Sequence, residues 1–340
     1  MSLFNATPYA ALAAPFVAPD GREVVVALVK GTFVVREDGR IGLADEQAAV
    51  RVADVPHETS AGADTAPPGT PAESSIRYPS ELSPGKRGGD LAIVGEAISR
   101  KPAPFIDLMA QIRDQRAPLR VYGERVYYRA LGRIAVGPAA PFERRPILYE
   151  YAYGGTSPDA SVVERKNPVG RGVARSPAEL VDQPAPTIEH PAHPITSASD
   201  RPEPAGYGAI SSSWLPRAAF AGTLDEAWQR TRMPLLPLDF DVRHYNVAHP
   251  ALQIPTPFQP GDRISTFGMS EGELFSFELP PLDVTVMARR DDGQWLGGRP
   301  VIDLVLVEPG RARFEMTARI VLPKGRGRTL LREVRIDVGT

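Results

Sequence analysis

The longest apolar stretch of the chain runs from Val24 to Val35, Val-Val-Val-Ala-Leu-Val-Lys-Gly-Thr-Phe-Val-Val. Its β-branched content and the turns at either end predict a strand buried on both faces rather than a helix. Asp20-Gly21 precedes it and Asp38-Gly39 follows it. Glycine takes positive φ without steric cost, so both pairs suit hairpin turns. Phe16 to Ala18, the long run, and Ile41 to Leu43 are therefore expected to form a three-strand meander. Lys30 interrupts the run. It is expected at a sheet edge, or with its stem buried and its ammonium in water, because lysines are seldom buried without a partner.

The same patterning predicts more strands downstream. Leu91 to Gly95 is a short apolar run. Ile106, Leu108, Ala110 and Ile112 alternate with polar or larger residues at period two. Leu119–Tyr122 and Arg125–Tyr128 flank Gly123-Glu124, which reads as a hairpin. Near the C-terminus, Asp292-Gly293 and Pro309-Gly310 each separate two strand-like segments. In Arg311–Leu322, Phe314, Met316, Ala318, Ile320 and Leu322 alternate with Arg313, Glu315, Thr317 and Arg319. That pattern predicts a strand with one dry and one wet face. Val334, Ile336 and Val338 mark a final strand.

Two stretches lack this periodicity. Residues 56–78 are expected as a flexible loop, since Ser60–Ser75 is rich in Ala, Pro, Thr, Ser and Gly. Residues 145–260 are loop-rich but dense in aromatics, which argues for order. One helix is expected there, over 223–232. Thr223 and Glu226 have capping-box spacing, and Pro234 stops it. The fold class is thus mainly β: antiparallel, sandwich-like sheets with long Pro/Gly-rich loops and one short helix, in a single unit spanning 1–340.

Composition narrows the function classes. The chain has 340 residues, 36 prolines and no cysteine, with 39 basic against 41 acidic residues. So much proline fits strands joined by long loops better than long helices. Without cysteine there is no disulfide, thiolate catalysis or Cys-ligated metal. The near-zero net charge supplies no field for nucleic acid or an anionic membrane. No apolar run reaches the roughly 20 residues of a membrane-spanning helix. A cytoplasmic protein is expected, without a cofactor.

Candidate chemistry is sparse. His190 and His193 stand in Glu-His-Pro-Ala-His-Pro, where the prolines forbid the helix that would let both share a metal. Asp239-Phe-Asp241 with His244 could bind a hard cation in a metal-dependent hydrolase, or serve as turn and capping residues. Asn167-Pro-Val-Gly-Arg-Gly172 lacks the lysine and hydroxyl of a phosphate loop, and Gly154-Gly155 reads as a turn. Lys324-Gly-Arg-Gly-Arg328 reads as a solvated basic turn. No nucleophile elbow, metalloprotease helix or kinase motif set is present.

An ordered set of motifs remains. It comprises Val29-Lys-Gly-Thr-Phe33, Gly89-Asp-Leu-Ala-Ile-Val-Gly95, Leu119-Arg-Val-Tyr-Gly-Glu-Arg125 and Pro146-Ile-Leu-Tyr-Glu-Tyr-Ala-Tyr-Gly-Gly155. It continues with Asn167–Gly172, Pro204-Ala-Gly-Tyr-Gly208, Trp214-Leu-Pro-Arg217, Ala221–Trp228 and Asp239–Asn246. Over about residues 20–280 this set resembles a bacterial family, long catalogued as a domain of unknown function, whose members are adaptor/chaperones for type VI secretion effectors. The resemblance implies a non-enzymatic protein that binds a cognate secreted effector through its PAAR-like tip domain. It would then help load that effector onto the valine–glycine-repeat spike. The family brings no catalytic, metal or cofactor residues.

Aromatics and arginine anchor protein interfaces. The expected partner-facing residues are therefore Tyr149, Tyr151, Tyr153, Tyr207, Trp214, Arg217 and Tyr245, within about 145–250. The competing arrangement turns these aromatics inward as a wrap over the sheet. A carbohydrate-binding β-sandwich using exposed Tyr and Trp is a further alternative.

Overall fold

The computed structural model describes residues 1–58, 74–157, 159–324 and 330–339. Strand makes up 44% of it and helix 8%. Three sheets carry the fold. The largest runs, edge to edge, through Gln253–Ile254, Gly89–Ile93, Val301–Glu308, Arg313–Pro323, Glu23–Val35 and Ala10–Val17, with Ile41–Leu43 also pairing with Glu23–Val35. A five-stranded sheet joins Ile188–Glu189, Gln115–Tyr122, Phe105–Ile112, Arg263–Phe267 and Leu274–Glu278. A four-stranded sheet joins Ser2–Asn5, Leu331–Val338, Val284–Arg290 and Trp295–Gly298. Most pairings are antiparallel. Among the described residues three strand pairs are parallel: Ser2–Asn5 with Leu331–Val338, Gly89–Ile93 with Val301–Glu308, and the short pair Tyr153–Gly154 with Arg171–Gly172.

The N-terminal meander forms as expected. Gly21 and Gly39 hold φ of 86° and 78° at its two turns. Its first strand is longer than the sequence suggested, Ala10–Val17. The C-terminal hairpins around Asp292-Gly293 and Pro309-Gly310 also form. The two regions build one sheet, because Arg313–Pro323 lies hydrogen-bonded beside Glu23–Val35.

One face of this central sheet is apolar and packs on both of the others. Phe33, Leu91, Ile93, Val305, Phe314 and Met316 meet Leu108, Ile112, Leu119, Ile264 and Phe277 of the five-stranded sheet. Stacked Phe33, Phe314 and Phe277 rings, with centroids 5.2 and 4.1 Å apart, mark the middle of that interface. Further along, Val25, Ala27 and Val29 meet Val284, Val286, Val334 and Ile336 of the four-stranded sheet.

The other face corrects two expectations. Glu315, Thr317 and Arg319 are not wet but buried, and so is Lys30. Lys30 reaches no solvent: its ammonium lies 2.7 Å from Glu81 and 3.0 Å from Glu315, and donates to the Ala49 carbonyl at 3.1 Å. Arg51 pairs with the same two carboxylates at 3.1 and 2.6 Å. Gln47 completes the cover by bonding the backbone of Thr32 through both its amide oxygen and nitrogen. Alternation here marks two buried faces of different chemistry. Burying these charges is tolerated because each has an opposite partner and hydrogen bonds.

Three local expectations also change. Gly123-Glu124 is no hairpin turn; the turn sits at Arg113-Asp114, joining Phe105–Ile112 to Gln115–Tyr122. Gly123 is needed for another reason, since a Cβ there would lie 1.8 Å from the Ala140 carbonyl oxygen. The helix spans Glu226–Thr231, and its cap is Asp225, whose side chain accepts from the Trp228 N–H, rather than Thr223. Of the expected loop 56–78, residues 59–73 lie outside the described residues, while Val55–Pro56 and Ile76–Tyr78 pair as short strands. Residues 325–328 of the basic turn also lie outside them. Among the described residues no helix is long and apolar enough to cross a membrane.

Candidate functional site

Between Pro146 and Arg263 the longest regular element among the described residues is the six-residue helix Glu226–Thr231. This segment holds the residues expected to face a partner, and the structure turns most of them inward. Tyr149, Tyr153, Tyr207, Trp214 and Arg217 are buried in the chain itself. Tyr149 meets Trp214 edge to face, with centroids 5.7 Å apart, and donates to the Gly208 carbonyl at 3.3 Å. Its ring lies over Gly206, where a Cβ would approach to 2.7 Å. Tyr207 donates to the Ala117 carbonyl at 2.6 Å, tying the segment to the five-stranded sheet. Burial pushes the hydroxyls of Tyr149, Tyr153 and Tyr207 above the usual phenol range.

Arg217 serves backbone rather than a partner. It donates to the carbonyls of Ile210 and His244, and burial lowers its pKa. Side chains enclosed this way cannot form a contact surface. For these five the partner-facing expectation is corrected to a structural one. The physical reason is that the strands within the segment are only two residues long, Tyr153–Gly154, Arg171–Gly172 and Ile188–Glu189 among them, so its aromatics supply the apolar contact that longer strands supply elsewhere.

Tyr151 and Tyr245 are only half-buried. Both Arg145 and Arg171 place their guanidinium carbons within 4.6 Å of the Tyr151 ring centroid. Glu124 pairs with each arginine, at 2.6 and 3.3 Å. The two guanidinium groups hold the Glu124 carboxyl below the usual range, against the opposing effect of its partial burial. Tyr245 sits in an aromatic cluster with Phe240 and His244.

The cation alternative needs Asp239, Asp241 and His244 to converge, and they do not. Asp239 accepts from the Thr223 backbone and hydroxyl at 2.7–3.1 Å. Asp241 accepts from the Arg243 N–H and pairs with its guanidinium at 2.6 Å. His244 Nδ1 lies 2.9 Å from the Arg217 carbonyl. These bonds hold both carboxyls below the usual range, with the Thr223 N–H the main cause for Asp239 and the Arg243 side chain for Asp241. Among the described residues no group of three His, Asp or Glu side chains is arranged to hold a metal ion.

The glycine motifs are packing devices. Gly154 and Gly170 are pressed against Asn167, whose buried amide nitrogen donates to the carbonyls of Tyr149 and Tyr153.

What the sequence did not disclose is the outward set. The stretch 222–240 closes on itself through the Thr223–Asp239 bonds and is braced by Trp228 Nε1 donating to the Leu235 carbonyl at 2.8 Å. On this closed loop Leu224, Met233 and Leu238 are 57, 63 and 86% exposed. In sequence they resemble core residues between prolines, and no pattern distinguishes them.

The search of curated proteins and that of solved structures each found no match. A protein-family model matches residues 20–319, and its description reads "Uncharacterized protein conserved in bacteria (DUF2169)". With most of its length matched, the chain belongs to this family of uncharacterized proteins conserved in bacteria.

Proposed function

We propose that this protein is a non-enzymatic adaptor/chaperone that binds a type VI secretion effector and helps mount it on the spike. The observation that carries the proposal is the ordered motif set from Val29 to Asn246, which falls within the family match over 20–319. The partners on this reading are a cognate effector, held through its PAAR-like tip domain, and the valine–glycine-repeat spike protein. The work is done in the bacterial cytoplasm. The buried aromatics keep the loop-rich segment rigid, which lowers the ordering cost of binding. Contact with cargo falls to the exposed side chains of the braced loop, Leu224, Met233 and Leu238, to Tyr245 packed on Phe240 at its end, and to the half-buried Tyr151. The loop is also anchored on the first turn of the meander, where Arg232 donates to the Pro19 carbonyl, so its exposed apolar side chains sit on a braced element, and exposed apolar side chains of this kind mark a binding surface.

The test is co-expression with the effector encoded beside it, followed by pull-down and a secretion assay with the gene deleted. Loss of effector solubility and export in the deletion supports the proposal. An effector equally soluble and equally secreted without this protein overturns it.

A further inference from the structure

Three of the five histidines line one cavity of about 170 Å³, although they come from distant parts of the chain. His190 and His193 approach from the loop after Ile188–Glu189, and His249 from the turn before Gln253–Ile254. The cavity lies beside the strand Gln115–Tyr122, with Pro118 and Tyr207 in its wall.

Each of the three histidines is followed by proline, and two stand in the same tripeptide, His190-Pro191-Ala192 and His249-Pro250-Ala251. The two tripeptides make the same turn. His190 Nδ1 accepts from the Ala192 N–H at 3.2 Å, and His249 Nδ1 accepts from the Ala251 N–H at 3.2 Å. Proline has no N–H, so the first backbone donor an imidazole can meet is two residues on. His249 Nε2 lies 3.3 Å from the Pro204 carbonyl and donates to it, which fixes its single proton on Nε2. Each turn is backed by a carbonyl bond, His193 N–H to the His190 oxygen and Leu252 N–H to the His249 oxygen, at 2.9 and 2.8 Å.

This geometry accepts only the neutral imidazole. A proton on Nδ1 would face a backbone N–H and remove the acceptor that closes the turn. The charged groups around the cavity do not compensate. The His193 ring lies 5.4 Å from that of His190, tilted 37° to it, and Arg116 adds a further cation to the lining. Among the described residues Glu203 is the one carboxylate lining the cavity, and it is already paired with Lys166; burial of His249 outweighs the pull of the Pro204 carbonyl and of Glu203 towards the charged form. Tyr207 offers no acceptor charge, and its hydroxyl is spent on Ala117.

We propose that the two His-Pro-Ala turns form a proton-operated latch, in which protonating His190 and His249 releases residues 190–193 and 249–252 from the edge of the five-stranded sheet. The sign follows from linkage. Burial lowers both pKa values, with His193 adding to the effect at His190. The closed latch therefore binds fewer protons than the open one below about pH 6.5, the ordinary histidine value. Each histidine then raises the open population by up to about tenfold per pH unit.

Hydrogen exchange of the whole protein at pH 7.5 and 5.0, corrected for intrinsic rates, reads the latch directly. Peptides covering 190–196 and 249–254 should lose at least about tenfold in protection at pH 5.0, while the central sheet keeps its own. In the His190→Asn/His249→Asn variant the side-chain amide oxygen accepts the same N–H without titrating, and protection should not change between the two values. Protection in wild type that is unchanged at pH 5.0, or an equal loss in the variant, overturns the latch. Should the variant fold poorly, imidazole NMR titration of the wild type decides instead. His190 and His249 titrating together with the loss of protection, below about pH 6.5, supports the latch, and titration at or above that value refutes it.

Discussion

Lys30 stands opposite Thr317 in the register of the central sheet, yet its ammonium reaches diagonally to Glu315, 3.0 Å away. Diagonal neighbours on one face of an antiparallel pair are within reach of long side chains. The contact joins the first and last parts of the sheet, and Glu81 and Arg51 close the cluster from the covering loops. Replacing Lys30 with Met leaves two buried carboxylates with too little positive charge. Such a change costs about 3–5 kcal/mol. Urea denaturation of Lys30→Met should show that loss, and Lys30→Met/Glu81→Gln should recover part of it. A midpoint unchanged from wild type would contradict the role given to the cluster.

The same cluster sets an acid limit. Its cations hold the Glu315 carboxyl at about 2, against the opposing effect of burial. A carboxyl depressed in the folded state stabilises fully above its unfolded pKa of about 4.3 and loses that contribution as pH falls towards its folded value. Melting curves from pH 6 to pH 3 should therefore fall steeply below about 4.3. Glu315→Gln should start lower and fall less steeply. Equal slopes for the two proteins would remove Glu315 from the account.

Trp214 is 2% exposed and packed on Tyr149. Trp214→Ala should cost about 3–5 kcal/mol and reduce cargo capture only in proportion to the folded protein lost. If Trp214→Ala melts as wild type and fails to bind, the aromatic pair belongs to the interface after all.

The exposed trio predicts the reverse. Leu224→Ser, Met233→Ser and Leu238→Ser together should change stability by about 0.5 kcal/mol or less per site. Effector binding in the pull-down should drop more than tenfold, about 1.4 kcal/mol. Unchanged binding would move the cargo surface elsewhere without touching the adaptor proposal itself.

Gly123→Ala tests the close approach to Ala140. The added methyl meets a backbone oxygen at 1.8 Å, so strands must shift. Overpacking of this kind costs about 1–3 kcal/mol, readable in the melting temperature. A silent substitution would mean that the segment around 140 yields freely.

The turns and the long strand were legible because their signals are local. An Asp-Gly pair beside an apolar run needs no distant information, and both turns of the meander form at such pairs. The wet face assigned to Glu315, Thr317 and Arg319 failed for the opposite reason. Period-two alternation separates two faces but does not say what covers each. The cover here comes from Arg51, Glu81 and Ser83, more than 200 residues away in sequence. Thr223 and Asp225 were both able to cap the helix. Asp239, from the far end of the loop, engages Thr223 and leaves the cap to Asp225. For the aromatics, residue type gave amphipathic character but no direction. Tyr151 and Tyr149 are two residues apart, yet one is half-buried and the other enclosed.

The pairing of Glu23–Val35 with Arg313–Pro323 also governs how the chain is made. A ribosome releases the first of these strands roughly 280 residues before the second. At about 5–20 residues per second, that interval is on the order of 15–60 s. Throughout it, a thirteen-residue apolar strand has its meander neighbours on one side and no partner on the other. An open strand edge of that length recruits other chains. The protein that is proposed to shield another in the cell therefore begins its own life in need of shielding, and its yield at high expression should rise when a general holding chaperone is supplied with it.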